Sequence, residues 1–180
     1  MRRVLCLFGT RPEIIELAPV LRALAARDEV ATLHVASSQH VELLHPFAAE
    51  LGVRIDRDLR VMQAGQSPAE VAARVLAGMD PLLVAERPDF VLVQGDTTTA
   101  MAGALAAFQR GIPVGHVEAG LRTGFKYSPW PEEMNRQLVG RLADLHLPPT
   151  PRARDALLRE GVPEDRIHVT GNTEIGRAHV

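Results

Sequence analysis

The chain alternates short apolar, β-branched runs with longer Ala- and Leu-rich stretches whose apolar positions recur every three or four residues. Runs such as Val4-Leu5-Cys6-Leu7-Phe8, and those at 32–36, 90–94 and 114–117, lack polar alternation. Each therefore reads as a strand buried on both faces rather than one exposed to water. Between them, helices are expected at about 12–26, 41–51, 69–86, 97–109, 132–142 and 152–160. In the first of these, Ile14, Leu17, Ala18, Leu21 and Leu24 line one face. Thr10 and Glu13 suit a capping box there, with Pro12 at the start. A short strand is expected near Arg54-Ile55, and strands at 144–147 and 167–170 close the pattern. Strands alternating with helices of this length predict an α/β fold with a mostly parallel sheet and right-handed crossovers.

Composition narrows what such a fold is for. The 180 residues are 46% hydrophobic and 23% charged, ordinary for a globular chain able to bury a core. The net charge of −2 is spread without a basic stripe, which argues against a nucleic-acid partner. No stretch approaches the roughly 20 apolar residues of a membrane span. Arg2-Arg3 before an apolar run faintly imitates a secretory leader, but the run ends after Phe8 in Gly9-Thr10-Arg11-Pro12-Glu13, so a cytoplasmic location is expected. The one cysteine, Cys6, lies within the first apolar run and reads as buried, not as part of a disulfide or metal site.

In open α/β sheets, ligands bind at the carboxyl ends of strands. The polar clusters fall there: Gly9 to Glu13 after the first strand, Gly95-Asp96-Thr97-Thr98-Thr99 after the 90–94 strand, and Glu118-Ala119-Gly120-Leu121-Arg122-Thr123 after the 114–117 strand. A loop through Tyr127-Ser128-Pro129-Trp130-Pro131 then reaches Glu132-Glu133. Several of these residues have plain structural duties open to them. Asp96 or Thr97 can cap the next helix, Glu132 and Glu133 can offset a helix dipole, Arg11 can pair with Glu13 at the surface, and His116 can be a core histidine. Glu118 has no capping duty, and an unpaired buried carboxylate is costly, so it needs a partner or a task.

Taken together, acids and an arginine on one rim point to chemistry on a phosphorylated or nucleotide-linked substrate. Neither the dinucleotide fingerprint G-x-G-x-x-G nor a Walker A loop follows the first strand, which disfavours a dehydrogenase or a P-loop NTPase.

At these residues the chain resembles the bacterial UDP-N-acetylglucosamine 2-epimerases of the non-hydrolysing type. The resemblance is carried by Phe8-Gly9-Thr10-Arg11-Pro12-Glu13, Val93-Gln94-Gly95-Asp96-Thr97-Thr98-Thr99 and Pro113-Val114-Gly115-His116-Val117-Glu118-Ala119-Gly120-Leu121-Arg122-Thr123. It continues through Tyr127-Ser128-Pro129-Trp130-Pro131-Glu132-Glu133-Met134-Asn135-Arg136 and Thr170-Gly171-Asn172-Thr173, with Gln39-His40 and Gly65-Gln66 also fitting. It implies a Rossmann-like parallel sheet flanked by helices, one half of a GT-B-like two-domain architecture, in a protein that forms homodimers. It also implies interconversion of UDP-GlcNAc and UDP-ManNAc by elimination and re-addition of UDP, for cell-envelope polysaccharide, without metal, NAD or other cofactor. Carried over by motif, Asp96, Glu118 and Glu132 become the acid/base candidates. Arg11, His116 and Arg122 become substrate-binding candidates.

Two departures qualify this. Position 16, where the family commonly has Lys at a nucleotide contact, is Glu16, which reverses the charge. Residues 174–180 leave the family pattern and read as a translated sequencing adapter, so the expected domain is 1–173, the second nucleotide-binding domain is absent, and the isolated fragment is expected to be inactive. Alternatives left open are a hydrolysing or other UDP-sugar 2-epimerase, a GT-B glycosyltransferase, and a non-catalytic nucleotide-sugar-binding module.

Overall fold

The computed structural model describes residues 1–38, 41–61 and 63–173, with backbone alone for 41–43. Gln39-His40 and the 174–180 tail lie outside the described residues. The elements run β1 (Arg2–Phe8), α1 (Arg11–Ala25), β2 (Val30–Ala36), α2 (Val41–Glu50), β3 (Arg57–Asp58), α3 (Pro68–Glu86), β4 (Phe90–Gln94), α4 (Thr98–Gln109), β5 (Val114–Val117), α5 (Glu132–Leu142), β6 (Leu145–Leu147) and α6 (Pro151–Arg159). The six strands form one sheet in the order β3-β2-β1-β4-β5-β6, and every pairing is parallel. The expected α/β parallel sheet is thus what forms.

Successive residues of a strand face opposite sides, and the core splits accordingly. Leu5, Leu7, Val91, Val93 and Val114 meet Val75, Met79, Ala102, Ala106 and Val139 of α3, α4 and α5 on one face. Val4, Cys6, Phe8 and Leu92 meet Ile14, Leu17, Leu21 and Leu44 of α1 and α2 on the other. Both faces of β1 are therefore dry, which is why its sequence shows no polar alternation. Cys6 is fully buried, and burial pushes its thiol up to about 12, leaving it inert packing. Alanine-rich α4 lies close to the sheet: a Cβ on Gly103 would come within 2.1 Å of the Leu7 side chain.

Two expected strands shift. The strand near Arg54-Ile55 forms instead as β3 at Arg57–Asp58, paired with Val35 and Ala36. Val53 and Ile55 are drawn into the apolar cluster beneath α1 and α2, and the Asp56 carboxylate accepts the His34 amide at 2.9 Å. At 167–170 only a single bridge forms, His146 to Ile167, although His168 N donates to His146 O at 2.9 Å.

Candidate active site

The carboxyl ends of β1, β4 and β5 open onto one rim, and α1, α4 and α5 start there. Each start is locally specified. Thr10 and Glu13 form the expected capping box of α1. Thr97 caps α4 by accepting from Ala100 N at 3.0 Å, so the capping duty open to Asp96 or Thr97 belongs to Thr97. Asp96 is left for other contacts.

Those contacts come from α5. Asn135 Nδ2 donates to the Asp96 carbonyl at 3.0 Å, and the Arg136 guanidinium donates to the Asp96 carboxylate. Glu118, next to β5, holds a left-handed backbone, φ 63°, unusual for a non-glycine residue. Its amide donates to Leu147 O of β6 at 3.0 Å, which ties the turn to the sheet. Its carboxylate accepts from Gln94 Nε2 at 2.8 Å, and the same nitrogen donates to Glu16. One amide therefore bridges two carboxylates.

The electrostatics follow from this crowding. Burial raises Glu118 to about 7, with the nearby charges of Glu16 and Asp96 adding to it and Arg136 and Gln94 opposing. Burial likewise raises Asp96, which Arg136 counters and the Glu132 charge reinforces. The Asp96 charge thus acts on Glu118, and the Glu132 charge acts on Asp96. A carboxyl group that is half-protonated near neutrality, beside one held by a cation, is able to give or take a proton.

Other expected residues sit differently. Arg11 is exposed at the first turn of α1, with its guanidinium 4.5 Å from the centre of the Phe47 ring. Among the described residues the arginine in contact with the acids is Arg136. The expected surface pair of Arg11 with Glu13 does not form, because Glu13 is buried and accepts from Gly9 N at 2.9 Å, Thr10 N at 2.7 Å and Thr97 Oγ1 at 2.8 Å. Glu16 adds negative charge to the cluster, so it offers a phosphate repulsion where a cation was the family expectation. His116 is fully buried and donates through Nε2 to the Gly95 carbonyl at 2.7 Å. Burial depresses it to about 3, so it stays neutral and braces the Gly95 turn. Arg122 makes a bidentate pair with Glu160 at 2.7 and 2.8 Å, linking the turn after β5 to the end of α6. Gly120 lets that turn approach: a Cβ there would sit 2.3 Å from the Ala153 carbonyl oxygen.

The unforeseen members are Arg136, Gln94 and Glu133. Arg136 stands one helical turn after Glu132, a spacing that places both on one side of α5 and was readable in the chain. Glu133 is fully buried and accepts from Thr123 N at 3.1 Å and Gln137 Nε2 at 2.9 Å. Its burial is outweighed by these bonds, which lower it overall. Among the described residues, no cluster of three or more His, Cys, Asp or Glu is arranged to hold a metal ion, and no helix is long and apolar enough to cross a membrane.

Comparison with known proteins shows what the chain as a whole is similar to. The family model described as UDP-N-acetylglucosamine 2-epimerase matches residues 22–179. UDP-N-acetylglucosamine 2-epimerases of Yersinia pestis and Escherichia coli K12 are each 51% identical over 173 residues, 96% of this chain and 46% of the relative. The crystal structure of UDP-GlcNAc 2-epimerase from Neisseria meningitidis bound to UDP-GlcNAc superposes with TM-score 0.93 at 44% identity, covering 96% of this chain and 47% of that one. The enzyme from Methanocaldococcus jannaschii in complex with UDP-GlcNAc and UDP gives 0.88 at 38% identity, covering 96% and 47%. MurG of Acinetobacter baumannii, 15% identical with TM-score 0.64 over 96% of this chain and 45% of its own, shares the fold. The chain spans about half the length of the relatives it matches, 46% in the Yersinia pestis case. By motif, by sequence and by backbone, this chain belongs to the UDP-N-acetylglucosamine 2-epimerase family.

Proposed function

We propose that the protein containing this chain is an isomerase that interconverts UDP-GlcNAc and UDP-ManNAc without releasing free sugar. The observation that carries the reading is the pairing of Glu118, raised to about 7, with Asp96 and Glu132 on one rim beside Arg136. Inversion at C2 requires removal of a proton that is not acidic and its return to the opposite face. In this scheme a carboxylate takes the C2 proton while the C1–O bond breaks, giving UDP and an enzyme-bound 2-acetamidoglucal. A carboxylic acid then returns a proton to C2 from the other face as the UDP oxygen re-forms the bond at C1. Such acid–base assistance is worth roughly 10²–10⁴ in rate. Exposed Arg11, at the first turn of α1, is the proposed contact for UDP.

The reading extends to a protein of twice this length, with residues 1–173 as one Rossmann-like half, working as a cytoplasmic homodimer without metal or cofactor. The 180-residue chain alone is expected to turn over UDP-GlcNAc negligibly. Joining residues 1–173 to the complementary half of the Escherichia coli relative is expected to restore epimerisation. Proton NMR in D₂O is the measurement, with UDP-ManNAc deuterated at C2 as the expected product. Accumulation of free ManNAc and UDP would overturn the non-hydrolysing assignment, and robust turnover by the chain alone would overturn the need for a second half.

A further inference from the structure

Next to the acid cluster, between the turn after β5 and helix α6, lies a cavity of about 370 Å³. That volume is within the range of roughly 300–1,000 Å³ typical of small-molecule sites. Arg122, Arg136, Arg152 and Arg159 line it together with Gly120 and Thr150, and no carboxylate is among its lining residues. The four arginines are not equivalent. Arg122 is neutralised by Glu160, and Arg136 by Asp96 and Glu133. Arg152 and Arg159 have no ion-pair partner among the described residues, and both are exposed. Arg136 also keeps a buried Nε–H with no acceptor among the described residues.

We infer that this cavity binds a diphosphate group, free or carried on a small molecule, at a site separate from the one proposed for Arg11. The lining has donors and positive charge but no anionic acceptor, which excludes cations and favours an oxyanion with more than one negative charge. A diphosphate suits it better than a single carboxylate, since two uncompensated guanidinium groups remain to be matched. Arg136 belongs to both places, because it lines the cavity and pairs with Asp96. An anion that recruits Arg136 therefore draws positive charge from Asp96, so occupancy of the cavity is coupled to the protonation of the acid cluster.

Isothermal titration of the 180-residue chain with sodium pyrophosphate, and separately with UDP, tests this in wild type, R152E/R159E and the control R22E/R27E. The paired substitution removes only exposed, unpartnered side chains, and circular dichroism checks that the fold persists. Pyrophosphate affinity is expected to fall by about tenfold or more in R152E/R159E and to stay within twofold in R22E/R27E, which makes the same charge change at two exposed arginines outside the cavity and the acid cluster. A parallel loss for UDP in R152E/R159E supports the site with a nucleotide as the source, and a loss confined to pyrophosphate supports it with the free anion. Three results overturn the inference: no pyrophosphate binding by wild type at millimolar concentration, unchanged affinities for both ligands in R152E/R159E, or an equal loss of pyrophosphate binding in R22E/R27E.

Discussion

Glu13 and Glu118 follow strands β1 and β5, two places apart in the same parallel sheet, and their surroundings are opposite in kind. Glu13 is buried among donors: two backbone amides and the hydroxyls of Thr10 and Thr97 point at its oxygens. Glu118 shares one glutamine amide with Glu16 and faces Asp96, so its neighbours are chiefly of its own sign. The first acid completes the scaffold by satisfying loop and helix-start N–H groups that otherwise lie unpaired. Burial raises Glu13 too, with every hydrogen bond to it opposing, whereas at Glu118 the like charges of Glu16 and Asp96 add to burial, as expected of a group kept for chemistry. Glu133, with Thr123, Gln137 and Arg136 around it, belongs with Glu13, whereas Asp96 belongs with Glu118.

The largest effect that can break this contrast is on catalysis. In the chimeric enzyme, D96N and E118Q are each expected to lower kcat/KM for UDP-GlcNAc by about 10²–10⁴ while the urea midpoint does not fall. A loss of that size in E13Q with unchanged stability would remove the distinction. Next in size is Glu13→Ala in the 180-residue chain, expected to cost about 3 kcal/mol in urea unfolding, because it leaves several donors without an acceptor. A cost below 1 kcal/mol, on the order of a single exposed cap, would show that Glu13 is not the keystone of this turn.

E118Q sharpens the comparison through pH. Because the folded value of about 7 lies above the ordinary 4.5, the group's favourable contribution is complete below 4.5 and is lost as pH rises through 7. E118Q is therefore expected to match wild type at pH 4 and to be more stable at pH 8. After discounting for solvent screening at this half-buried site, the gain is about 1–2 kcal/mol. Urea melts at the two pH values read this directly, and a gain already present at pH 4 would contradict the assignment. The smallest effect is that of E16Q, which removes one like charge. It is expected to move the Glu118 titration below that of wild type, followed by carbon-13 NMR of the labelled carboxyl. An unmoved titration would mean that Gln94, not the Glu16 charge, sets it.

The fold was legible because it rests on local pattern. Runs such as Val91–Val93 within β4 admit no exposed face, and the Thr10 and Thr97 caps stand where the helices begin. The misplaced strand at 54–55 shows the limit, since at Asp56 the amide donates to His34 O at 2.9 Å but the His34 amide is taken by the Asp56 side chain, and the ladder of β3 starts only at Arg57. Within the site, the positions of Asp96 and Glu118 were readable from strand ends, and Glu132 from the motif that follows the loop after β5. Their partners were not, because they depend on which helix crosses which turn. Arg136 lies 40 residues from Asp96, and Arg122 lies 38 from Glu160. Arg11 was assigned by its helix start, but an aromatic ring from α2 lies under its guanidinium. Glu16 was noticed as a reversed charge, yet that it shares Gln94 with Glu118 needed coordinates.

The backbone at Glu118 has a consequence for how this chain evolves. At φ 63° a glycine relieves the steric penalty and deletes the crowded acid in one substitution. Lineages that keep the fold but abandon the proposed reaction are expected to drift to glycine there. Deep mutational scanning can separate the two pressures. In the chimeric enzyme, the Glu118→Gly variant is expected to enrich when the library is sorted for abundance and to vanish when growth depends on the UDP-ManNAc it makes, and depletion under both regimes would show that the glutamate serves the fold.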